Sequence, residues 1–251
     1  MTQQKPTTII TGATRGIGRA MAEKMAQSGE RVITMGRRSV PELVEIAKAH
    51  STDWNELLVD LSDRNETEQA GQALATLLEG VDQARLVLNA GTVNPILPAD
   101  RHTDIDAIAQ AFDINIVAPI YLTGCFLQAT GKATERRIMM ISSGAGRNAS
   151  HSWGIYCATK AAMDRYVEAV KIEGHANLRI ASVAPGIVDT PMQETIRGTP
   201  DELFPNRQKF EDFHRTGALA DPKVTGSNLL SLLALADFGD RAIDDVRQHT
   251  F

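Results

Sequence analysis

The feature that most limits what this 251-residue chain can fold into lies near its start. Thr7–Thr11 is a short β-branched run that breaks into Thr11-Gly12-Ala13-Thr14-Arg15-Gly16-Ile17-Gly18, and a helical pattern follows over residues 19–28. Strand, glycine loop and helix in that order open an α/β chain. The glycines let the backbone turn tightly and approach a ligand, while the free N–H groups and positive end of the helix suit a pyrophosphate. A lone glycine loop is also compatible with a turn that binds nothing, so the context must decide.

The context repeats the alternation. Residues 31–35 read as a second strand closed by Gly36, Arg37 and Arg38, where a cofactor's ribose should arrive. An acid there is the usual mark of NAD; Arg37, with Arg15 in the glycine loop, points instead to a 2′-phosphate and NADP. The other reading is a solvated arginine pair. A helix over 41–50 and a third strand over 54–59 lead to Asp60 and Leu61. Asp60 either caps an adenine pocket or, with Asp63, caps a helix. A helix over 66–79 carries apolar residues at Ala70, Ala73, Leu74, Leu77 and Leu78. A fourth strand over 85–88 runs into Asn89-Ala90-Gly91, small enough for a dinucleotide to cross the sheet edge. Residues 104–128 form a long helical pattern in which Pro119 follows Asn115 by four, bending the axis and freeing a carbonyl. Asn115 there either holds water or satisfies backbone groups.

The chemistry is expected over residues 142–160. Tyr156 and Lys160 stand four apart, so on a helix over 152–174 they share one face. A phenol has a pKa near ~10 and shuttles protons poorly at neutral pH, but a neighbouring ammonium favours phenolate and lowers that value. Ser143 ends the apolar run 138–141, at the carboxyl edge where open α/β sheets bind ligands. An ordinary amphipathic pair beside polar loop serines is the plainer alternative. His151 and Trp153 either line a substrate mouth or are a loop histidine and a packed indole. A sixth strand, Leu178–Ala184, returns the chain to the same edge at Pro185-Gly186-Ile187-Val188-Asp189-Thr190. Over 191–217 hydrophobic density falls and charge rises, as in a mobile lid. A helix over 222–236 and a strand over 241–246 finish the chain.

With 43% hydrophobic and 23% charged residues, 251 residues suit one α/β domain spanning 1–251. A net charge of -5 offers no field for a phosphate backbone, which argues against nucleic acid. The first ten residues resemble neither a signal nor a span, and no later run looks long enough for a membrane. Cys125 and Cys157 have no metal-like spacing, and the six histidines form no His-x-x-x-His pair. Reduced thiols, no metal and a cytoplasmic location are the expectation.

Taken together, Thr11 to Gly18, Asp60, Asn89-Ala90-Gly91, Asn115, Ser143, Tyr156 with Lys160, and Pro185-Gly186 through Thr190 resemble the short-chain dehydrogenase/reductase family over essentially the whole chain. The resemblance implies a Rossmann-type, doubly wound, seven-stranded parallel sheet with helices on both faces. It implies a catalytic set of Asn115, Ser143, Tyr156 and Lys160. It also implies an NADP(H) site at Gly12, Arg15, Gly16, Ile17, Gly18, Arg37, Asp60, Leu61, Asn89, Ala90, Gly91, Tyr156, Lys160, Pro185, Gly186, Val188 and Thr190. Lys160 would hold the nicotinamide ribose and lower the phenol pKa, and Asn115 would position a water. Leu88 departs from the asparagine many members carry. Residues 153–164, 188–193 and 216–224 are similar to the sepiapterin reductase and benzil reductase group, which implies reduction of a small-molecule 1,2-dicarbonyl or side-chain ketone to a secondary alcohol. Asp245 is the nearest match to that group's pterin anchor. A homodimer or homotetramer through helices 104–128 and 152–174 is implied as well. A 3-oxoacyl thioester reductase and a non-catalytic NADPH-binding regulator are the alternatives.

Overall fold

The computed structural model describes residues 5–251. Seven parallel strands form one sheet: β1 (Thr7–Thr11), β2 (Arg31–Gly36), β3 (Asp53–Leu58), β4 (Gln83–Leu88), β5 (Glu135–Ile141), β6 (Leu178–Ala184) and β7 (Ile243–Asp245), in the order β3-β2-β1-β4-β5-β6-β7. Alternate residues of the strands feed opposite faces. Ile9, Ile33, Leu86, Ile138 and Ile180 pack into one core with α3 (Arg64–Leu77), α5 (Ala118–Ala129) and α6 (Gly154–Ile172). Their neighbours Ile10, Val32, Val87, Met139 and Ala181 pack into a second core with α1 (Gly16–Ala26), α2 (Pro41–Ala49) and α9 (Pro222–Ala234). Burial on both faces is why these strands read as continuous apolar runs. The sheet is the doubly wound Rossmann type, and its order reverses between β1 and β4, the place where such sheets open a crevice at their carboxyl ends.

Two expectations change. The helix over 104–128 is interrupted: α4 (Ile105–Phe112) passes through a π turn, Asp113–Val117, into α5. Pro119 has no N–H to give the Asn115 carbonyl, and the widened turn absorbs that loss. The joined run Ile105–Ala129 is 25 residues long and holds a window of mean hydropathy 1.3, so among the described residues one helix is long and apolar enough, by length and composition only, to cross a membrane, where the sequence reading found none. It packs here against α3 and α6. The segment 191–217 is not a bare loop. It carries α7 (Pro191–Arg197) and α8 (Arg207–Arg215), held by the buried Ile196, Phe204 and Phe210 in a third core above the carboxyl edge. Three apolar anchors in a polar stretch are too sparse to show a period.

Candidate active site

A cleft of about 380 Å³ opens at the carboxyl ends of β1 and β4. Gly12, Arg15, Gly16, Ile17, Arg37, Asp60, Leu61, Asn89, Ala90, Gly91, Tyr156, Lys160, Pro185 and Thr190 all line it. The glycine loop starts where Gly12 donates to the Met35 carbonyl at 2.8 Å with φ +70°, a conformation that favours glycine. Helix α1 follows Arg15, which supplies no side-chain cap, and has no acid in its first turn, so its first N–H groups are free for an anion. Asn89 ties the loop to β4, its Nδ2 donating to the carbonyls of Thr11 (3.0 Å) and Gly12 (3.3 Å). Thr11 Oγ1 in turn accepts the N–H groups of Asn89 and Ala90, both at 3.0 Å.

Gly18, Gly186 and Val188 do not line the cleft and act beneath it. Gly18 lets α1 rest on the loop. Gly186, at φ +82°, turns the chain beside Arg247, and Val188 is buried and bridges to Ala220. Asp60 is not a helix cap. Its Oδ1 accepts the Ser62 N–H (3.0 Å) and hydroxyl (2.7 Å), while Asp63 caps α3 through Asn65 and Glu66. Burial works to raise the Asp60 pKa, but those bonds and Arg37, 3.9 Å away, leave it below the usual value. Arg37 is exposed at the end of β2, and Arg15 is exposed as well.

Tyr156 and Lys160 are both buried on α6, with Lys160 Nζ 5.7 Å from the centre of the phenol ring. That nitrogen donates to the Ile141 carbonyl at 2.8 Å. The expectation that Lys160 lowers the phenol pKa fails in this arrangement. Burial pushes Tyr156 up to about 12, and the lowering influence comes from the Ser143 hydroxyl. Burial also brings Lys160 down to about 8, against the pull of Asp164. Desolvation outweighs a cation whose nearest bond is made elsewhere. Ser143 Oγ accepts the Ala145 N–H at 3.2 Å, which leaves its proton free to donate. Both amide hydrogens of Asn115 are engaged, its Nδ2 donating to Thr92 O (2.8 Å) and Thr159 Oγ1 (3.1 Å), while its Oδ1 accepts from Thr92 N (2.9 Å). Its side chain braces the loop after Asn89 and carries no free donor for water.

Beside Tyr156 stands an aromatic wall. The Trp153 ring meets Tyr156 edge-on at 5.6 Å, stacks on Phe204 at 5.5 Å and lies 5.4 Å from Phe210. Sequence reasoning found Trp153 but missed Phe204 and Phe210, which lie far along the chain and meet it only through the fold of α7 and α8. It also missed the cleft-lining Thr92 and Gln110, and it gave Ser142 and Met192 no role of their own. His151 is exposed and bonds its neighbour Ser152. Asp245 is absent from the cleft lining, its carboxylate held by Arg247 at 2.6 and 2.9 Å, bonds that keep its pKa low. A larger hollow of about 750 Å³ lies at the opposite edge of the sheet, but its cations are tied down there. Arg137 bonds the carbonyls of Leu233 and Leu235, and Arg179 bonds that of Phe238.

The family model for short chain dehydrogenases matches residues 6–201, most of the described chain. A benzil reductase ((S)-benzoin forming) of Bacillus cereus is 32% identical over 236 residues, covering 92% of this chain and 94% of the relative. The chain belongs to the short-chain dehydrogenase family. It is an oxidoreductase of that family. A sepiapterin reductase of Bos taurus is 30% identical over 240 residues, 90% of this chain and 88% of the relative. A solved structure from Beutenbergia cavernae superposes with a TM-score of 0.80 at 26% identity over 97% of this chain and 95% of its own. It is described as an NAD(P)-dependent gluconate 5-dehydrogenase candidate with NADP bound at low occupancy.

Proposed function

We propose that this short-chain dehydrogenase is an NADPH-dependent carbonyl reductase acting on small 1,2-dicarbonyl compounds of the benzil type. The observation that carries the reading is the presence of the buried Tyr156 and Lys160 in one cleft with Arg15 and Arg37, the Ser143 hydroxyl standing beside the phenol though not in the cleft lining. The uncapped start of α1 and the glycine loop fit a pyrophosphate, and the two exposed arginines fit a 2′-phosphate. Bound there, NADPH would supply the hydride; Thr190 and the Pro185 side of its loop would flank the nicotinamide end.

The remaining work falls to the protein. Tyr156 keeps its proton throughout the neutral range because burial holds it near 12, so it is set to give that proton to a carbonyl oxygen as charge develops there. Ser143 donates a second hydrogen bond to the same oxygen. Lys160 stabilises that charge and restores the phenol proton. Trp153, Phe204 and Phe210 give an aryl substrate an apolar wall beside Tyr156. Because Asp245 is committed to Arg247, a dione that needs no acidic anchor fits better than a pterin. The exposed Ile105, Phe112, Val117 and Ile120 support pairing of two copies through α4 and α5.

The test follows absorbance of NADPH and NADH with benzil, phenylpropanedione, sepiapterin and an acetoacetyl thioester. NADPH oxidation by the diones, with much less from NADH, is the expected result. Turnover of the thioester alone would replace this reading with the ketoacyl one, and tight NADPH binding without any turnover would favour a regulator.

A further inference from the structure

Asp164 is a buried carboxylate on the active-site helix that the chemistry above does not use. It follows Lys160 by four residues and Tyr156 by eight, so the three side chains run along one face of α6. Its Oδ1 accepts the hydroxyls of Ser142 at 2.6 Å and Ser182 at 2.5 Å, lengths typical of a hydroxyl donating to an ionised carboxylate. Ser142 precedes Ser143, and Ser182 belongs to β6. Gly146 makes the room: a Cβ there would stand 2.8 Å from Asp164 Oδ2 and 3.0 Å from the Lys160 carbonyl carbon.

Lys160 needs such a neighbour. Its one hydrogen bond goes to a neutral carbonyl, and a buried cation without a counter-charge sheds its proton. The other charged groups on elements packed against α6 are engaged elsewhere or turned to solvent. Asp113 pairs with Arg64, Asp244 with His249, Asp245 with Arg247, and Arg179 with Asp240. His102, beside the start of α6, bonds the Leu97 carbonyl, and Asp106 on α4 is exposed. Among the described residues Arg147 is the one competitor, its Nε 3.6 Å from Asp164 Oδ2.

We propose that Asp164 is a positioning residue: its carboxylate, fastened to Ser142 and Ser182, keeps the Lys160 ammonium charged and sets α6 against the end of β5. The proposal rests on the roles given above to Tyr156 and Lys160. Asp164 does oppose the fall that burial imposes on Lys160.

Asp164→Asn keeps an acceptor for the serines and removes the charge. In the wild type, kcat/KM for dione reduction should fall as the pH rises past about 8, where Lys160 loses its proton. Removing a negative neighbour makes that proton easier to lose, so the limb should move down by about one pH unit or more in Asp164→Asn. Carbon-13 lysine NMR, with the Lys160 signal assigned through Lys160→Arg, reads the same titration without turnover. A lowered Lys160 titration in a protein that reduces no dione would uphold the proposal and remove the reductase reading. Dione turnover with both the limb and the resonance unmoved would overturn the proposal alone, even if Asp164→Asn melts earlier, because loss of packing does not move a titration. Should Asp164→Asn fail to fold, Arg147→Gln serves: it frees the carboxylate of its competitor, so limb and resonance should rise in pH, and no movement would overturn the idea.

Discussion

Gly18→Ala tests the claim that this residue serves packing beneath the cleft and touches no cofactor. A Cβ at position 18 would lie 2.2 Å from the Gly12 carbonyl oxygen and 2.3 Å from Asn89 Nδ2. Comfortable contact needs roughly 3.5 Å, so more than an ångström must be found. Neither neighbour can swing away, one being backbone and the other bonded to the Thr11 and Gly12 carbonyls. Overpacking costs up to about 3 kcal/mol, and losing both amide bonds adds about 1 kcal/mol each. The helix preference of alanine returns about 1 kcal/mol. The net loss of about 4 kcal/mol lowers Tm by roughly 8–16 °C in a chain of this length. NADPH affinity, read by fluorescence titration, should weaken at least about tenfold, since the displaced groups frame the loop that would meet the pyrophosphate. Gly131→Ala is the control: its Cβ would have only ordinary contacts at 3.6 Å, so Tm should hold or rise slightly. A Gly18→Ala protein that melts and binds NADPH like the wild type would refute the packing argument.

Three further outcomes follow from the same geometry. Tyr156→Phe keeps the ring against Trp153 but removes the proton donor, so dione turnover should fall at least ~10²-fold with NADPH binding retained; unchanged kcat would take Tyr156 out of the mechanism. Arg37→Ser removes an exposed charge proposed to meet the 2′-phosphate, a charged hydrogen bond of about 1.5–3 kcal/mol, so KM for NADPH should rise by about ten- to a hundredfold while KM for NADH holds. Equal changes for both cofactors would leave Arg37 a surface residue. Phe204→Ala empties a fully buried position stacked on Trp153 and should cost about 3–5 kcal/mol in urea unfolding, with a higher KM for aryl diones; a neutral result would mean that α7 and α8 are held by something else.

Much of this protein is local in origin. The glycine loop, the apolar runs of the strands, the Tyr156–Lys160 spacing and Pro119 beside Asn115 each act through neighbours a few residues away, and a residue's own backbone preferences and helix or strand period express them directly. That is why the order of the elements, the doubly wound sheet and most of the cleft lining were legible before any coordinates. What the tertiary structure decided depends on residues far apart in sequence. Whether Lys160 lowers the phenol pKa turns on how deeply both are buried and on a carbonyl, Ile141, that takes the ammonium's hydrogen bond. Whether 191–217 hangs loose turns on Phe204 and Phe210 finding Trp153. Whether Asp245 can meet a substrate turns on Arg247, and the buried partners of Asp164 come from two different strands. Spacing along the chain sets which side chains share a face. Desolvation and long-range pairing, which exist only once the faces meet, set the charge and freedom those side chains have.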